Sequence, residues 1–426
     1  MNIVHLWKSD SPSFAGGGAV SMYRLHSVLR EVGVDSRILC RMKTIDSPYV
    51  QEIKRGLKSK ILEKLLKQLT SKILSLNDIH LIYSLNIKQH EFYVNSDVLH
   101  VHGTHSEFLN YLTLPTLTKN KPTVFTLKDM WALTGHCGYS YDCERWKIGC
   151  GQCPYPETHP PIKRDSTRLE WKLKDWVYRQ LNLSLICPSQ WLTDLAKQSP
   201  LLNRFPIHHI PHGIETEIFQ PFEKQESRLQ LGIPLDKKVL LFAAVDFGDY
   251  RKGGDLLVEA LKSLPASLKS DTILLVFGKE TKELMEPDTF SMPVYHLGYL
   301  SDKHTKALAY SAADLFLFPS RADNFPNVAL ESLACSTPVV SFAVGGIPEQ
   351  VRPGITGYLA QPENINDFCQ GITHLLDEEE LRNQMKRNCR AIATKEYRLD
   401  LYAQRHIELY ESLWGSPTSN PLPVMV

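Results

Sequence analysis

The chain has 426 residues, too many for one ordinary hydrophobic core, so two domains of about 200 residues each are expected. Its 48 Lys and Arg against 47 Asp and Glu leave a formal net charge of +1, which offers no broad field to nucleic acid. No run approaches the roughly 18 apolar residues of a membrane span, the start MNIVHLW lacks a basic leader, and nine cysteines scattered mostly among apolar residues suit reduced thiols, so a cytoplasmic protein is expected.

In chain order, residues 2–6 read as a first strand. A long loop ending in Gly16, Gly17 and Gly18 follows, then a helix over 19–32 that Gly33 stops. Glycines at a helix mouth let the backbone approach a ligand and turn N–H groups towards it; a flexible turn is the plain alternative. They do not follow the G-x-G-x-x-G order of dinucleotide-binding proteins. Residues 54–76 form an amphipathic helix with Leu57, Ile61, Leu65, Leu69 and Ile73 on one face and Lys60, Lys64 and Lys67 on the other. Two readings stay open for it, a surface helix with a solvated basic face or an interfacial helix held by anionic lipid. Residues 97–102 are a strand that sets His100 and His102 on one side of the pleat.

Residues 123–127 are a further strand, followed by TLKDMW and a loop in which Cys137, Cys143, Cys150 and Cys153 are separated by five, six and two residues. Four soft ligands closing on a C-x-x-C knuckle suit a structural zinc, while free thiols or disulfides are the alternatives. Strand 183–187, a helix opening at PSQW and residues 207–214 end the first half, with a linker near 219–234. Strand 239–245 opens a second α/β series, and Arg251 and Lys252 stand at the mouth of a helix beginning near Gly253. Two cations beside glycine N–H groups match a pyrophosphate, a solvated basic turn being the alternative. Strands over 273–278, 294–297 and 315–318 follow. A helix near Asn327, with Asn324 and Asn327 available as caps and Pro326 in the first turn, presents free N–H groups to an anion. Asp323 and Glu331 bracket that site, and their natural partners are sugar hydroxyls. Helices over 365–376, 379–393 and 399–414 complete the pattern, and the tail 415–426 is expected to be disordered.

The spacing of Asp323 and Glu331, with Ser336-Thr337-Pro338-Val339-Val340 and Gly345-Gly346-Ile347-Pro348-Glu349 after them, resembles the donor-site signature of glycosyltransferase family four. Asp323 stands where that family usually has Glu, and Ser336 where it has Gly. The Asp-x-x-His-x-His strand ending at His102 resembles the family's, and the TLKDMW segment resembles that of its bacterial surface-polysaccharide branch, with Lys128 in place of the usual histidine and Asp129 a candidate on the acceptor side. PSQW and HIPHGIETEIFQP resemble the family's closing segments of the N-terminal domain, with His212 in place of the customary Asn.

The resemblance implies the GT-B fold, two doubly wound parallel-sheet domains (Rossmann-like, α/β) facing a cleft, over 1–218 and 219–396, with a helix over 397–414 crossing back. It implies a retaining hexosyltransferase that moves a sugar from a nucleotide diphosphate sugar to a glycan or lipid-linked acceptor in cell-surface polysaccharide synthesis, and the basic helix over 54–76 would place it peripherally on the inner membrane face. It assigns donor binding to Gly16, Gly17, Gly18, Arg251, Lys252, Asn324, Phe325, Asn327 and Glu331, and catalytic positions to His102 and Asp323. No Asp-x-Asp metal pair stands in a plausible donor loop, so no cofactor is expected in the chemistry, and Gly298-Tyr299-Leu300 would hold a base that the residues do not specify. A nucleotide-sugar epimerase on the same scaffold and a catalytically silent sugar binder are the competing readings.

Overall fold

The computed structural model describes residues 1–10, 12–279 and 289–415, the first few residues of the segment from 12 to 15 by backbone alone. Parallel strands built of near-continuous apolar residues need cover on both faces, and the chain supplies it by alternating strand and helix in two series. The first contains β1 (Asn2–Ser9), β2 (Asp35–Met42), β3 (Val50–Glu52), β4 (Val98–Val101), β5 (Thr123–Thr126), β6 (Ser184–Cys187) and β7 (Ile207–His209), in sheet order β3-β2-β1-β4-β5-β6-β7. The second contains β8 (Lys238–Asp246), β9 (Thr272–Lys279), β10 (Val294–His296), β11 (Leu315–Phe318), β12 (Val339–Phe342) and β13 (Gly357–Ala360), in order β10-β9-β8-β11-β12-β13. The pairings in both sheets are parallel. Along β8, Val239, Leu241 and Ala243 enter one apolar core while Leu240 and Phe242 enter another, which is what a strand covered on both faces must do. Both sheets are therefore Rossmann-like. Each reverses its winding beside its first strand, between β1 and β4 and between β8 and β11, and ligands of such sheets bind at the strand C-terminal ends there.

Two compact units result, Met1–Pro211 with the chain from Tyr402 onward, and His212–Leu401. Residues 212–218, read from the sequence as the end of the first domain, are bonded into the second unit. The Ile214 N–H donates to the Tyr397 carbonyl at 2.8 Å, and the Arg390 guanidinium donates to the carbonyls of Thr216 and Phe219 at 3.1 and 2.9 Å. Other elements shift less. The first helix runs Pro12–Glu31 with a break at Gly16 (φ 64°, ψ −162°), so the three glycines lie within it rather than before it. The segment expected as one helix over 54–76 is an α-helix, Leu57–Lys67, continued by a π turn, Gln68–Ile73. The last helix, Leu399–Trp414, has the expected bounds; residues 416–426, expected to be disordered, lie outside the described residues.

That last helix meets the first sheet through a cluster of histidines. His5 on β1 bonds the His102 ring at 2.9 Å and Ser36 Oγ at 3.0 Å, and His26 reaches the same hydroxyl at 2.8 Å. His100 bonds the Tyr410 hydroxyl at 2.6 Å and Thr126 Oγ1 at 2.7 Å, and its ring stacks on His102 at 3.8 Å, as alternate strand residues must. Burial disfavours protonation, pushing His26 down to about 4 and His406 to about 3, with His5, His100 and His102 also well below the ordinary range. Once unfolded, such rings titrate near 6.5. The unfolded chain then binds protons that the fold does not, so this contribution is fully present above pH 6.5 and is lost as pH falls towards about 4. Asp78 and Glu170, raised by burial to about 6 and about 7, act in the opposite sense because the fold holds their protons. Each neutral buried histidine adds a slope of about 1.4 kcal/mol per pH unit across that window. His406→Phe should therefore flatten the pH dependence of urea unfolding between pH 6.5 and 4 by roughly one proton; an unchanged slope would mean that His406 is charged in the fold.

Candidate active site

In the second unit the reversal point carries two loops. One follows β8 and leads into the helix Gly254–Ser263; the other follows β11 and leads into the helix Asn327–Ala334. Gly253 has φ +69°, and a Cβ there would sit 2.0 Å from the Pro319 carbonyl oxygen, so only glycine lets the first loop press against the end of β11. The contact is then pinned. Ser320 Oγ and the Arg321 N–H both donate to the Arg251 carbonyl, at 3.0 and 2.8 Å. The Arg321 guanidinium pairs with Asp255 at 2.8 and 2.6 Å and with Glu363 at 2.9 Å, and it lies 3.9 Å over the Tyr250 ring.

This frame brings together the two cations and the acid singled out in the sequence. Lys252 Nζ donates to Asp323 Oδ2 at 2.7 Å and Arg251 Nη1 donates to the same oxygen at 3.1 Å, while Oδ1 accepts the Asn324 N–H at 3.0 Å. Burial opposes ionisation of Asp323, but Lys252 and Arg251 outweigh it and hold the carboxyl below its usual range. Lys252 is drawn below its ordinary value by burial and then by Arg251, with Asp323 opposing both. The acid's backbone is fixed by the Gly-Gly pair. Gly345 (φ +57°) comes so close that a Cβ would lie 2.0 Å from the Asp323 carbonyl oxygen, and the Gly346 N–H donates to that oxygen at 3.1 Å. Asp323 is therefore the counter-charge that aligns two cations, a pairing not included in its expected role toward sugar hydroxyls.

The remaining residues of this half divide. Pro326 occupies the N-cap of the helix Asn327–Ala334, between Asn324 and Asn327, and its own side chain makes no capping bond. Glu331 is buried on the helix with the Tyr310 hydroxyl 3.4 Å from Oε2. Phe325 is core: its ring packs edge-on to His212 and near Tyr397, at 5.8 and 5.7 Å, so only its backbone can face a donor. Arg321 escaped the sequence reading because its partners Asp255 and Glu363 are remote in the chain; a cation one residue past Ser320, with an acid in the first turn of a helix, was its only signal.

In the first unit, Gly16, Gly17 and Gly18 follow β1, and Lys128 follows β5. Lys128 Nζ donates to Ser21 Oγ at 2.8 Å, that hydroxyl donates to the Gly18 carbonyl at 3.1 Å, and burial pushes the ammonium down to about 7. The lysine thus reaches the glycine segment. His102, expected near a donor sugar, is fully buried, and its Nδ1 has no hydrogen-bond partner among the described residues. The more accessible histidine is His105, which the sequence reading did not single out. Its Nε2 lies 3.1 Å from Asp129 Oδ2 and its ring stacks on Trp131 at 5.3 Å.

Cys137, Cys143, Cys150 and Cys153 are free and partly buried. The Gly135 N–H donates to Cys150 Sγ at 3.2 Å, and His136 Nε2 lies 3.2 Å from Cys153 Sγ. Burial raises Cys137 to about 12, the other three thiols adding to the effect. Among the described residues, the ligand atoms gathered within 4.8 Å of one another are those of His5, His100 and His102, not those of the four cysteines. His5 and His100 of that trio already engage both ring nitrogens with neighbours, so it is a hydrogen-bonded core.

Comparison with known proteins bears on the fold that carries these residues. A family model described as Glycosyltransferase Family 4 matches residues 15–218, and one described as Glycosyl transferases group 1 matches residues 223–392. The D-inositol 3-phosphate glycosyltransferase of Mycolicibacterium smegmatis is 33% identical over 186 residues, which is 42% of this chain and 41% of that protein. The aligned stretch thus spans well under half of that curated relative. Among solved structures, the sucrose-phosphate synthase of Thermosynechococcus elongatus has a TM-score of 0.69 at 20% identity, covering 97% of this chain and 100% of that one. HepE of Anabaena, solved in complex with UDP and glucose, gives 0.66 at 17% identity with the same coverage. At those identities the likeness concerns the fold, which is GT-B. With one model matching each half, the chain belongs to the group 1, family 4 glycosyltransferases.

Proposed function

We propose that the protein is a retaining hexosyltransferase that takes its sugar from a nucleotide diphosphate sugar and passes it to a glycan or lipid-linked acceptor in surface-polysaccharide synthesis at the cytosolic face of a membrane. The observation that carries the reading is the pair of cations, Arg251 and Lys252, held on one oxygen of Asp323 at the reversal point of the second sheet. As the sugar–oxygen bond breaks, negative charge grows on the departing diphosphate. Prealigned cations and helix N–H donors stabilise that charge without reorganising, which is usually the largest single contribution to catalysis. A diphosphate offers more oxygens than one carboxylate, so it can draw both cations from Asp323 on arrival. Support for a nucleotide sugar comes from HepE, whose structure holds UDP and glucose; support for a surface glycan comes from the TLKDMW segment.

A thermal-shift panel of UDP-, GDP- and ADP-sugars tests the donor class. A cognate donor at about 100 times its dissociation constant should add roughly 2.7 kcal/mol of stability, and with an acceptor it should release the nucleoside diphosphate. No shift from any donor, or conversion of the donor without an acceptor, would overturn the transferase reading.

The cation pair makes a sharper expectation. Charge-assisted hydrogen bonds contribute about 1.5–3 kcal/mol each, so Lys252→Ala should weaken binding of the cognate nucleoside diphosphate roughly 10- to 100-fold by calorimetry. Asp323→Asn should do the reverse, tightening that binding while lowering the unfolding temperature, because two adjacent cations lose their counter-charge. Unchanged affinity in the Lys252 variant would remove it from the donor site.

The same proposal extends to one structural zinc on Cys137, Cys143, Cys150 and Cys153. Its support is the donor set of four thiols in one loop with amide and imidazole groups at the sulfurs, and binding would have to draw those sulfurs together. Elemental analysis of purified protein should give one zinc per chain, lost in Cys150→Ser with Cys153→Ser; a content near zero would end the idea.

A further inference from the structure

The helix Leu57–Lys67 and the π turn Gln68–Ile73 sit on the first unit with their faces reversed. A helix packed on a domain ordinarily turns its apolar side inward. Here the buried residues are Glu63 and Thr70, and Glu63 Oε1 accepts the Tyr83 N–H at 2.8 Å. Leu57, Ile61, Leu62, Leu65, Leu69 and Ile73 point outward, each between 46% and 74% exposed. An apolar strip of that length on a protein surface marks a contact with something else.

Cations edge the strip. Lys58, Lys60, Lys64 and Lys72 are exposed, whereas Lys67, grouped with them on sequence grounds, is turned to Glu107, which Arg41 also pairs at 3.3 Å. At the N-terminal end of the helix lies an open hollow of about 610 Å³ lined by Lys43, Lys54, Arg55 and Lys60, with Glu52 its one carboxylate. Among the described residues Lys54, Arg55 and Lys60 make no ion pair, so their charge is available to an anion.

We infer that this face docks on an anionic phospholipid surface, the aliphatic strip entering the headgroup boundary and the hollow receiving a headgroup phosphate. Charge decides the occupant. A second copy of the same face would bring like charges together across a two-fold axis, while an anionic bilayer presents hydrocarbon and phosphate in the order that the strip and hollow require. No helix among the described residues is long and apolar enough to span a membrane, so this one lies along the interface. The inference stands on the first unit alone and survives if the donor reading fails.

Vesicle sedimentation of the full chain tests it, with neutral phosphatidylcholine vesicles against vesicles containing phosphatidylglycerol. The protein should sediment with the anionic vesicles, and added salt should release it. Since a basic residue near such a surface contributes about fivefold in affinity, neutralising Lys54, Arg55 and Lys60 to Gln should weaken binding roughly a hundredfold. Ile61→Gln with Leu65→Gln and Leu69→Gln should abolish it while lowering the unfolding temperature only slightly, because each of the three is at least half exposed. Recovery in the supernatant with both lipids would overturn the inference, as would undiminished binding of the apolar triple variant. A concentration-dependent dimer lost in that variant would overturn it too, making a second copy the occupant.

Discussion

Two cations held on one carboxylate oxygen cannot be assembled piecemeal, and the surrounding chain of the second unit is arranged to permit it. Arg251 and Lys252 repel one another, so their side-by-side placement depends on Asp323. Asp323 is in turn where it is because the Gly345–Gly346 backbone grips its carbonyl, and Arg251 is where it is because Gly253 lets its loop meet Pro319. A side chain at either glycine would separate the charges by pushing apart the backbones that carry them. The Gly-Gly-x-Pro-Glu element, read in the sequence as part of a donor signature, thus sets the height of the acid above the sheet.

The fold was largely legible, and for a clear reason. Strand β11 and strand β12 are short apolar runs closed by polar turns, and the helix Leu399–Trp414 repeats its apolar positions without a breaker. Local patterns of that sort survive any tertiary arrangement. Partnership is another matter. Lys252 lies 71 residues from Asp323, and nothing local says that the acid would pair with cations rather than with a sugar. Arg321 and His105 were missed for the same cause, since the partners of each, Asp255 and Glu363 for the one and Asp129 for the other, lie elsewhere in the chain. Phe325 shows the limit in miniature: it stands among donor-loop residues, yet its ring belongs to the core with Tyr397.

The helix Leu57–Lys67 exposes a different limit. Periodicity established that Leu57, Ile61, Leu65 and Leu69 share a face, but a periodic pattern does not say which way that face turns relative to the domain. What sets the direction is the inner face, where Glu63 accepts the Tyr83 N–H and Thr70 is covered. Turning the leucines inward would have buried hydrocarbon and broken that bond. The fold instead keeps the polar anchor and leaves most of the aliphatic strip in water, where it contributes little to the stability of the isolated chain.

The two surfaces share one logic. At the loops proposed to hold the donor the cations are neutralised internally by Asp323; in the basic hollow beside Gly56 the lining residues provide no such counter-charge beyond Glu52. A site that must discriminate among small ligands gains from internal competition, because only an anion that binds the cations better than the carboxylate does can open it. A surface meant for a charged plane has no need of that test, and its cations extend their reach through solvent to about a Debye length. The different treatment of like charges at the two places is therefore what a selective pocket and a broad docking face would each require.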